Sequence, residues 1–386
     1  MKVFYWSPFI NEVATIKAVT NSVISLKKFS KKKINPTIID AVGEWDSKKD
    51  YLKVNKIDLI KLINVNIINY LPKFGFLKSR FTYFIIFFFT VFKLHKLLKS
   101  AKPDFVIVHL ITFIPLVLLL FFNYKTRFIL RISGYPRLTF FRSLLWRLVN
   151  KKIYFITAPT LKTSDMIKEK KIFNLNKIKY LPDPVLRVEE FQKIKKKKRA
   201  LDKELSIKNS LISIGRLKPQ KNFAFLINTF AILIKKYENL NLFILGDGEE
   251  MNKLKKIINK LKLNKKIFLI GYKKNVFEYL KNSRLFILPS LWEDPGFVLL
   301  EAAYLNKTIL SSNCPNGPAE ILDNGKNGFL FESNSPKSFL ENFDKMYLED
   351  KKTIFKKKIR LKKKCKEFTL FNHYKILNSI LSTYED

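Results

Sequence analysis

The sequence predicts an α/β protein made of two doubly wound domains, on three observations. The chain has 386 residues, too many for one ordinary core and enough for two domains of roughly 150–200 residues each. Short apolar runs alternate with helical periodicities twice over, which implies parallel strands joined by crossover helices. Between the two alternations, across Glu189–Asn209, the pattern breaks into mixed charge, with Lys195, Lys196, Lys197, Lys198 and Arg199 in a row.

In the first half, Val3–Trp6 is a strand candidate, and Ile16, Val19, Val23 and Leu26 then recur at helical spacing as one apolar stripe. Thr37–Asp40, Phe105–Leu110, Phe128–Ile132 and Ile153–Ala158 read as further buried strands. The basic break reads as a solvated linker or a loose helix. The second half opens on Leu211–Ile214, followed by strand-like runs at Leu240–Leu245, Ile267–Ile270, Val276–Leu280, Leu285–Leu288 and Thr308–Ser311. Helices are expected between them at Phe223–Tyr237, Glu249–Leu261 and Gly296–Tyr304. From Ser335 the tail is helical and very basic. The expected boundaries are a first domain over 1–187, a linker over 188–209, a second domain over 210–360 and a helical tail over 361–386 that can cross back to the first.

Hydrophobic residues make up 47% of the chain, so a mainly disordered protein is excluded. Lys and Arg number 73 against 32 Asp and Glu, a net charge of +41. Such a surplus attracts anionic partners such as phosphorylated substrates, acidic lipid or nucleic acid. Codon drift in an AT-rich genome gives the same Lys abundance, and only the placement of the cations separates the two. Two cysteines, Cys314 and Cys365, and three histidines exclude a disulfide framework and a multi-cysteine metal cluster. A reducing cytoplasm is the expected setting. The start, Met1–Phe9, runs into a strand rather than the apolar core of a signal peptide. Phe84–Phe92 is too short to span a bilayer, which needs about 20 residues. Val106–Phe122 is interrupted by His109 and Pro115, and reads as a strand followed by an apolar helix.

The residues that carry chemistry cluster in the second half. Gly215-Arg216-Leu217 ends the opening strand, and Gln220-Lys221-Asn222 precedes the next helix. A strand, a loop with Arg and Lys, and a helix N-terminus make an anion site. Gly246-Asp247-Gly248 is a glycine turn without the spacing of a dinucleotide fingerprint. In the third motif, Glu293 leads through Asp294 and Pro295 to Gly296, Phe297 and Val298, whose N–H groups open a helix that carries Glu301. A diphosphate suits those N–H groups. Glu293 and Glu301 then suit sugar hydroxyls, Glu293 those of a transferred hexose and Glu301 those of a ribose. The plain alternative makes Glu293 a helix cap and Glu301 an ordinary helix residue.

Together with Gly271 and Gly317-Pro318-Ala319-Glu320-Ile321-Leu322, these motifs stand in the order and spacing of family 4 (group 1) glycosyltransferases, which the chain resembles over about Leu211–Phe331. The resemblance implies a GT-B fold, two Rossmann-like doubly wound domains facing across a cleft, and transfer with retention of anomeric configuration. It implies that Arg216 and Lys221 hold the donor diphosphate, Glu293 the donor sugar and Glu301 the ribose, with the base near Gly271. Pro103–His109 is similar to the family's strand that ends in a histidine near the donor sugar, which makes His109 a catalytic candidate beside Glu293. Leu181-Pro182-Asp183-Pro184-Val185 departs from the family's Pro-Asn-Gly-Val turn. Ser7–Glu12 stands where the family commonly has loop glycines, which bears on acceptor recognition rather than on the donor.

The expected reaction moves a sugar from a nucleotide-diphosphate sugar to a lipid-linked or other glycan acceptor, as in O-antigen, lipopolysaccharide or capsule synthesis. Charge building on the leaving diphosphate would be met by Arg216, Lys221 and the helix start near Gly296, with no metal and no cofactor. The basic, aromatic segments Lys73–Arg80 and Arg137–Lys152 point to peripheral docking at the inner face of the plasma membrane, on anionic lipid. A nucleotide-sugar epimerase on the same fold is the alternative enzyme, and it would act without an acceptor. A non-enzymatic basic protein that binds membrane or nucleic acid is the other. For nucleic acid it would need stacking platforms or a helix-turn-helix beside the lysine runs, and the sequence has neither.

Overall fold

The computed structural model describes residues 1–11, 13–72, 76–134, 138–196 and 210–383. Glu12, Lys73–Gly75, Arg137 and the Lys197–Arg199 part of the basic run lie outside the described residues. The chain forms two compact units. Unit 1 is Met1–Val185 with Thr369–Asp386, and unit 2 is Leu186–Phe368.

Unit 1 runs β1 (Lys2–Trp6), α1 (Ala14–Phe29), β2 (Asn35–Asp40), α2 (Lys49–Val54), β3 (Asp58–Lys61), α3 (Phe76–Ala101) and β4 (Phe105–Val108). It continues through α4 (Phe113–Phe121), β5 (Arg127–Arg131), α5 (Phe140–Val149), β6 (Ile153–Ala158), α6 (Leu161–Glu169) and β7 (Ile178–Tyr180). Unit 2 follows with α7 (Val188–Lys196), β8 (Ser210–Ile214), α8 (Phe223–Leu233), β9 (Asn241–Leu245), α9 (Met251–Lys260), β10 (Ile267–Gly271) and α10 (Phe277–Asn282). Then come β11 (Leu285–Leu288), α11 (Phe297–Tyr304), β12 (Thr308–Ser312), α12 (Pro318–Ile321), β13 (Phe329–Phe331), α13 (Pro336–Leu348) and α14 (Lys351–Lys364). The last helix, α15 (Leu370–Ser382), belongs to unit 1.

All pairings within the two sheets are parallel. The first sheet has the order β3-β2-β1-β4-β5-β6-β7 and the second β10-β9-β8-β11-β12-β13. Each order reverses direction once, between β1 and β4 and between β8 and β11. In open parallel sheets ligands bind at the carboxyl ends of strands beside such a reversal. Topology therefore nominates one crevice per unit before any side chain is considered.

Helices cover both faces of the first sheet, so its central strands are apolar throughout, as parallel sheets require. Val106, Val108, Phe128 and Leu130 pack under α3, α4 and α5. Val3, Tyr5, Ile107 and Ile129 pack against α1 and α15 on the other face. The predicted stripe of α1 is buried there, with Val19, Val23 and Leu26 inaccessible to solvent. The tail is fastened by a polar chain as well. His373 Nδ1–H donates to the Pro182 carbonyl at 2.7 Å, and Nε2 lies 2.8 Å from Ser22 Oγ, which lies 2.8 Å from the Tyr5 hydroxyl. Burial pushes the His373 imidazole down to about 3, so it is neutral. Nε2 therefore accepts from Ser22, and Ser22 accepts from Tyr5.

Several expectations are corrected. Val276–Leu280 is not a strand: the Asn275 side chain accepts the Phe277 N–H at 3.1 Å and starts α10 instead. The edge strands β3, β7 and β13 were not legible, because three or four residues paired on one side bury few side chains. Phe84–Phe92 is not an isolated short run but part of α3, a helix of 26 residues. Its Arg80–Ala101 portion is the one described helix long and apolar enough to cross a membrane. Ile86, Leu94 and Leu98 of that helix are buried against the first sheet. The described start of the expected linker is helix α7, anchored by Phe191 between Phe277 and Tyr304. The last boundary also moves: α14 runs through the expected break at 360.

Candidate functional site

In unit 2 the hydrogen-bonded ladder of the sheet continues past the strand ends into the loops. Gly215 N–H donates to the Leu245 carbonyl, Gly246 N–H to Gly271 and Leu217 N–H to Asp247, each at 2.9 Å. The loops after β8, β9 and β10 are thereby stacked, and Gly215, Gly246, Gly248 and Gly271 lie at one edge of the sheet. Gly246 has φ +145°, and a Cβ there would sit 1.8 Å from the Gly215 carbonyl oxygen. Only glycine fits that approach. The stacked loops leave backbone at a surface that any other residue would cover.

The loops on either side of the reversal are also tied together. Leu291 N–H donates to the Gln220 carbonyl at 2.8 Å, and the Gln220 amide donates to the Trp292 carbonyl at 2.9 Å. This brings Lys221 to Glu293. Lys221 Nζ is 2.5 Å from Glu293 Oε1, and Ser290 Oγ donates to the same oxygen at 2.5 Å. Glu293 is 4% exposed and Lys221 mostly buried, so this is a short, shielded ion pair. Arg216 is exposed on the neighbouring loop.

Helix α11 begins at Phe297 with Gly296 as its cap, in the left-handed region at φ +99°. The first-turn N–H groups of Phe297 and Val298 have no partner within the helix. Glu301 lies on the same helix and is buried. The end of β12 and the loop after it support this turn. Ser312 Oγ donates to the Ser290 carbonyl at 2.6 Å, and Asn316 Nδ2 to Asp294 at 3.0 Å. A Cβ on Gly317 would fall 2.1 Å from the Pro295 carbonyl, so this loop packs flat on the turn. Cys314 is buried beneath, its thiol pushed up to about 11 by desolvation.

Gly215, Arg216, Lys221, Gly246, Gly248, Gly271, Glu293, Gly296, Phe297, Val298 and Glu301 therefore all sit in unit 2, on or next to the loops at the carboxyl ends of its strands. His109 is in unit 1, one residue past β4, where its N–H bonds to the Trp6 carbonyl at 2.8 Å. It is buried, its ring stacks on Tyr5 at 5.9 Å, and neither ring nitrogen has a hydrogen-bond partner. Desolvation, with Arg131 nearby, holds its imidazole well below the usual histidine range. Ser290 was missed as a member of the site. A Ser at the end of a buried strand, three residues before Glu293, was the available signal.

Residues 192–367, nearly all of unit 2, match the family model described as "Glycosyl transferases group 1". An uncharacterised glycosyltransferase of Methanocaldococcus jannaschii is 34% identical over 247 residues, 60% of this chain and 61% of that one. The chain thus spans about three fifths of that relative's length. A Campylobacter jejuni protein named N-acetylgalactosamine-N,N'-diacetylbacillosaminyl-diphospho-undecaprenol 4-alpha-N-acetylgalactosaminyltransferase is 25% identical over 293 residues, 72% of this chain and 76% of its own. The structure of Anabaena HepE in complex with UDP superposes with a TM-score of 0.74 at 14% identity, covering 99% of this chain and 100% of that one. Two parallel doubly wound units and that likeness give this chain the GT-B fold, and its residues 192–367 are similar to the group 1 glycosyl transferases.

Proposed function

We propose that the protein transfers a sugar from a nucleoside-diphosphate sugar to a lipid-linked glycan, with retention of configuration, in the synthesis of a surface polysaccharide. The observation that carries this reading is the convergence of Arg216, Lys221, Glu293 and the start of α11 at the strand-order reversal of unit 2. The cations and the helix N-terminus suit a diphosphate, and the buried Glu293 carboxylate suits sugar hydroxyls. The leaving diphosphate gains negative charge as the glycosidic bond breaks, and groups already oriented toward it lower that barrier most. In this reading Lys221 exchanges part of its contact with Glu293 for a phosphate oxygen when the donor binds. Glu301 takes the ribose, and His109 belongs to the sugar side. The Campylobacter relative's name describes a diphospho-undecaprenol acceptor, which supports a lipid-linked acceptor here.

A panel of UDP-, GDP- and ADP-sugars tested for thermal stabilisation checks the donor half. One nucleotide is expected to raise the melting temperature, and Arg216→Ala is expected to weaken its binding about tenfold to a hundredfold. Hydrogen bonds to charged groups contribute roughly 1.5–3 kcal/mol each. Unchanged calorimetric affinity in Arg216→Ala would remove the phosphate assignment.

Docking at the inner face of a membrane is part of the same proposal. Phe140, Phe141 and Leu148 on α5 are exposed beside Arg142 and Arg147. Aromatics interleaved with cations suit the acyl boundary and anionic headgroups, at about 1 kcal/mol per basic residue near the surface. Sedimentation with anionic vesicles is expected to carry the protein down at low salt and to release it at high salt. Equal binding to neutral vesicles, or none to either, would contradict this.

A further inference from the structure

The Glu293 carboxylate receives both of its donors on one oxygen. Lys221 Nζ and the Ser290 hydroxyl each lie 2.5 Å from Oε1, and Oε2 makes no hydrogen bond among the described residues. A Cβ on Gly296 would lie 3.8 Å from the Glu293 carboxyl carbon. The missing side chain therefore leaves the carboxylate uncovered toward the start of α11.

The two donors are held with very different firmness. Lys221 reaches Oε1 on a flexible four-carbon stem, and its ammonium is a point charge that another anion can take over. Ser290 is fully buried and carries its hydroxyl on a short side chain. Its backbone is tied on both sides. The Ser290 carbonyl accepts the hydroxyl of Ser312, which is itself buried at the end of β12, at 2.6 Å. The next N–H, that of Leu291, donates to the Gln220 carbonyl at 2.8 Å. Glu293 is fixed as well, because its N–H donates to the Pro315 carbonyl at 3.1 Å. Hydroxyl and carboxylate thus both stand on anchored backbone, and their contact does not depend on where the lysine goes.

Building on the transferase reading above, in which Lys221 turns toward a phosphate oxygen, we propose that Ser290 is a positioning residue for sugar recognition. It keeps hold of Oε1 when the lysine leaves, and Oε2 is then presented to the hydroxyls of the donor sugar. Without that hold, the attraction between Glu293 and Lys221 would work against the loaded site. The carboxylate would follow the ammonium, or compete with the phosphate for it. Glu293 is 4% exposed, so bulk water does not stand in for a lost donor. Serine suits the task because its hydroxyl carries no charge that a diphosphate could draw away.

Ser290→Ala removes only the hydroxyl oxygen. With a nucleoside-diphosphate sugar that the full chain accepts, turnover is expected to fall about tenfold to a hundredfold, the size of one hydrogen bond to a charged group. The donor KM and the calorimetric affinity for the free nucleoside diphosphate are each expected to stay within about threefold, because the diphosphate contacts remain. That retained affinity also shows that the variant folds. A serine that merely supports the loop would act independently of Glu293, and the double variant separates the two roles. In a Glu293→Gln background, Ser290→Ala is expected to cost less than about threefold in turnover, since the group it acts through is already disabled. Unchanged turnover in Ser290→Ala would overturn the assignment, as would an equal loss in both backgrounds. Nucleoside-diphosphate affinity that falls in step with turnover would also overturn it and make Ser290 a support for the diphosphate loops. If no nucleoside-diphosphate sugar binds the chain, the transferase reading falls and this one with it. If one binds and Ser290→Ala turns it over like wild type, only this inference falls.

Discussion

Glu293→Gln is expected to lower sugar transfer by about two to three orders of magnitude while the protein stays folded. The side chain is buried and accepts from both Lys221 and Ser290 on one oxygen, so its position is fixed by two loops before any donor arrives. Glutamine keeps the size and one accepting oxygen but removes the charge. Removing one oriented electrostatic group from an active site commonly costs 10²–10³ in rate. Stability is expected to fall by only about 1–2 kcal/mol, because the amide oxygen still accepts from Lys221 and Ser290. Nucleotide affinity is expected to change within a few-fold, since Arg216 and the start of α11 are untouched. Steady-state rates together with calorimetric nucleotide binding check this. Activity within a few-fold of wild type would sink the role, and an equal loss of rate and nucleotide affinity would make Glu293 a mere anchor for Lys221.

Asp183→Ala is expected to be the most destabilising single change in unit 1 among those considered. Arg131 is 2% exposed, and its guanidinium bonds to Asp183 Oδ1 and to the Leu181 carbonyl, both at 2.6 Å. Removing the carboxylate leaves a buried cation without its counter-charge, a loss of about 3–5 kcal/mol. The damage extends to the neighbours. The same segment supplies the Pro182 carbonyl to His373 and the Pro184 carbonyl to Asn21, so it joins β5, α1 and α15. At roughly 2–4 °C per kcal/mol for a unit of this size, the melting temperature is expected to fall by about 6–20 °C. Calorimetry or circular dichroism measures it. Arg131→Met with Asp183→Leu is expected to recover part of the loss, because replacing both charges leaves neither unpaired. A single variant that melts within 2 °C of wild type would show that water reaches Arg131.

This segment shows how far the sequence could be read. Leu181–Val185 stood out only as a departure from a family turn. What Asp183 does there depends on Arg131, which lies 52 residues earlier, and no local pattern announces that pairing. Lys221 and Glu293 are similar. Each was legible as a candidate from its own motif, yet their contact across 72 residues appears only when β8 and β11 become neighbours. The glycines of the unit 2 loops were readable as turn residues. The reason Gly246 admits no side chain is the Gly215 carbonyl, which the stacked loops bring against it.

The sequence by itself determined the fold class, the central strands, the amphipathic stripe of α1 and nearly every residue type at the unit 2 site. Those features are local: burial writes apolar runs into parallel strands, and the turns that follow them select glycine. Tertiary structure alone decided the strand order, the edge strands β3, β7 and β13 and the pairing of Arg131 with Asp183. Each depends on which distant segments become neighbours. Pairing energy is spread over many weak contacts, and no short stretch of chain encodes its own partner.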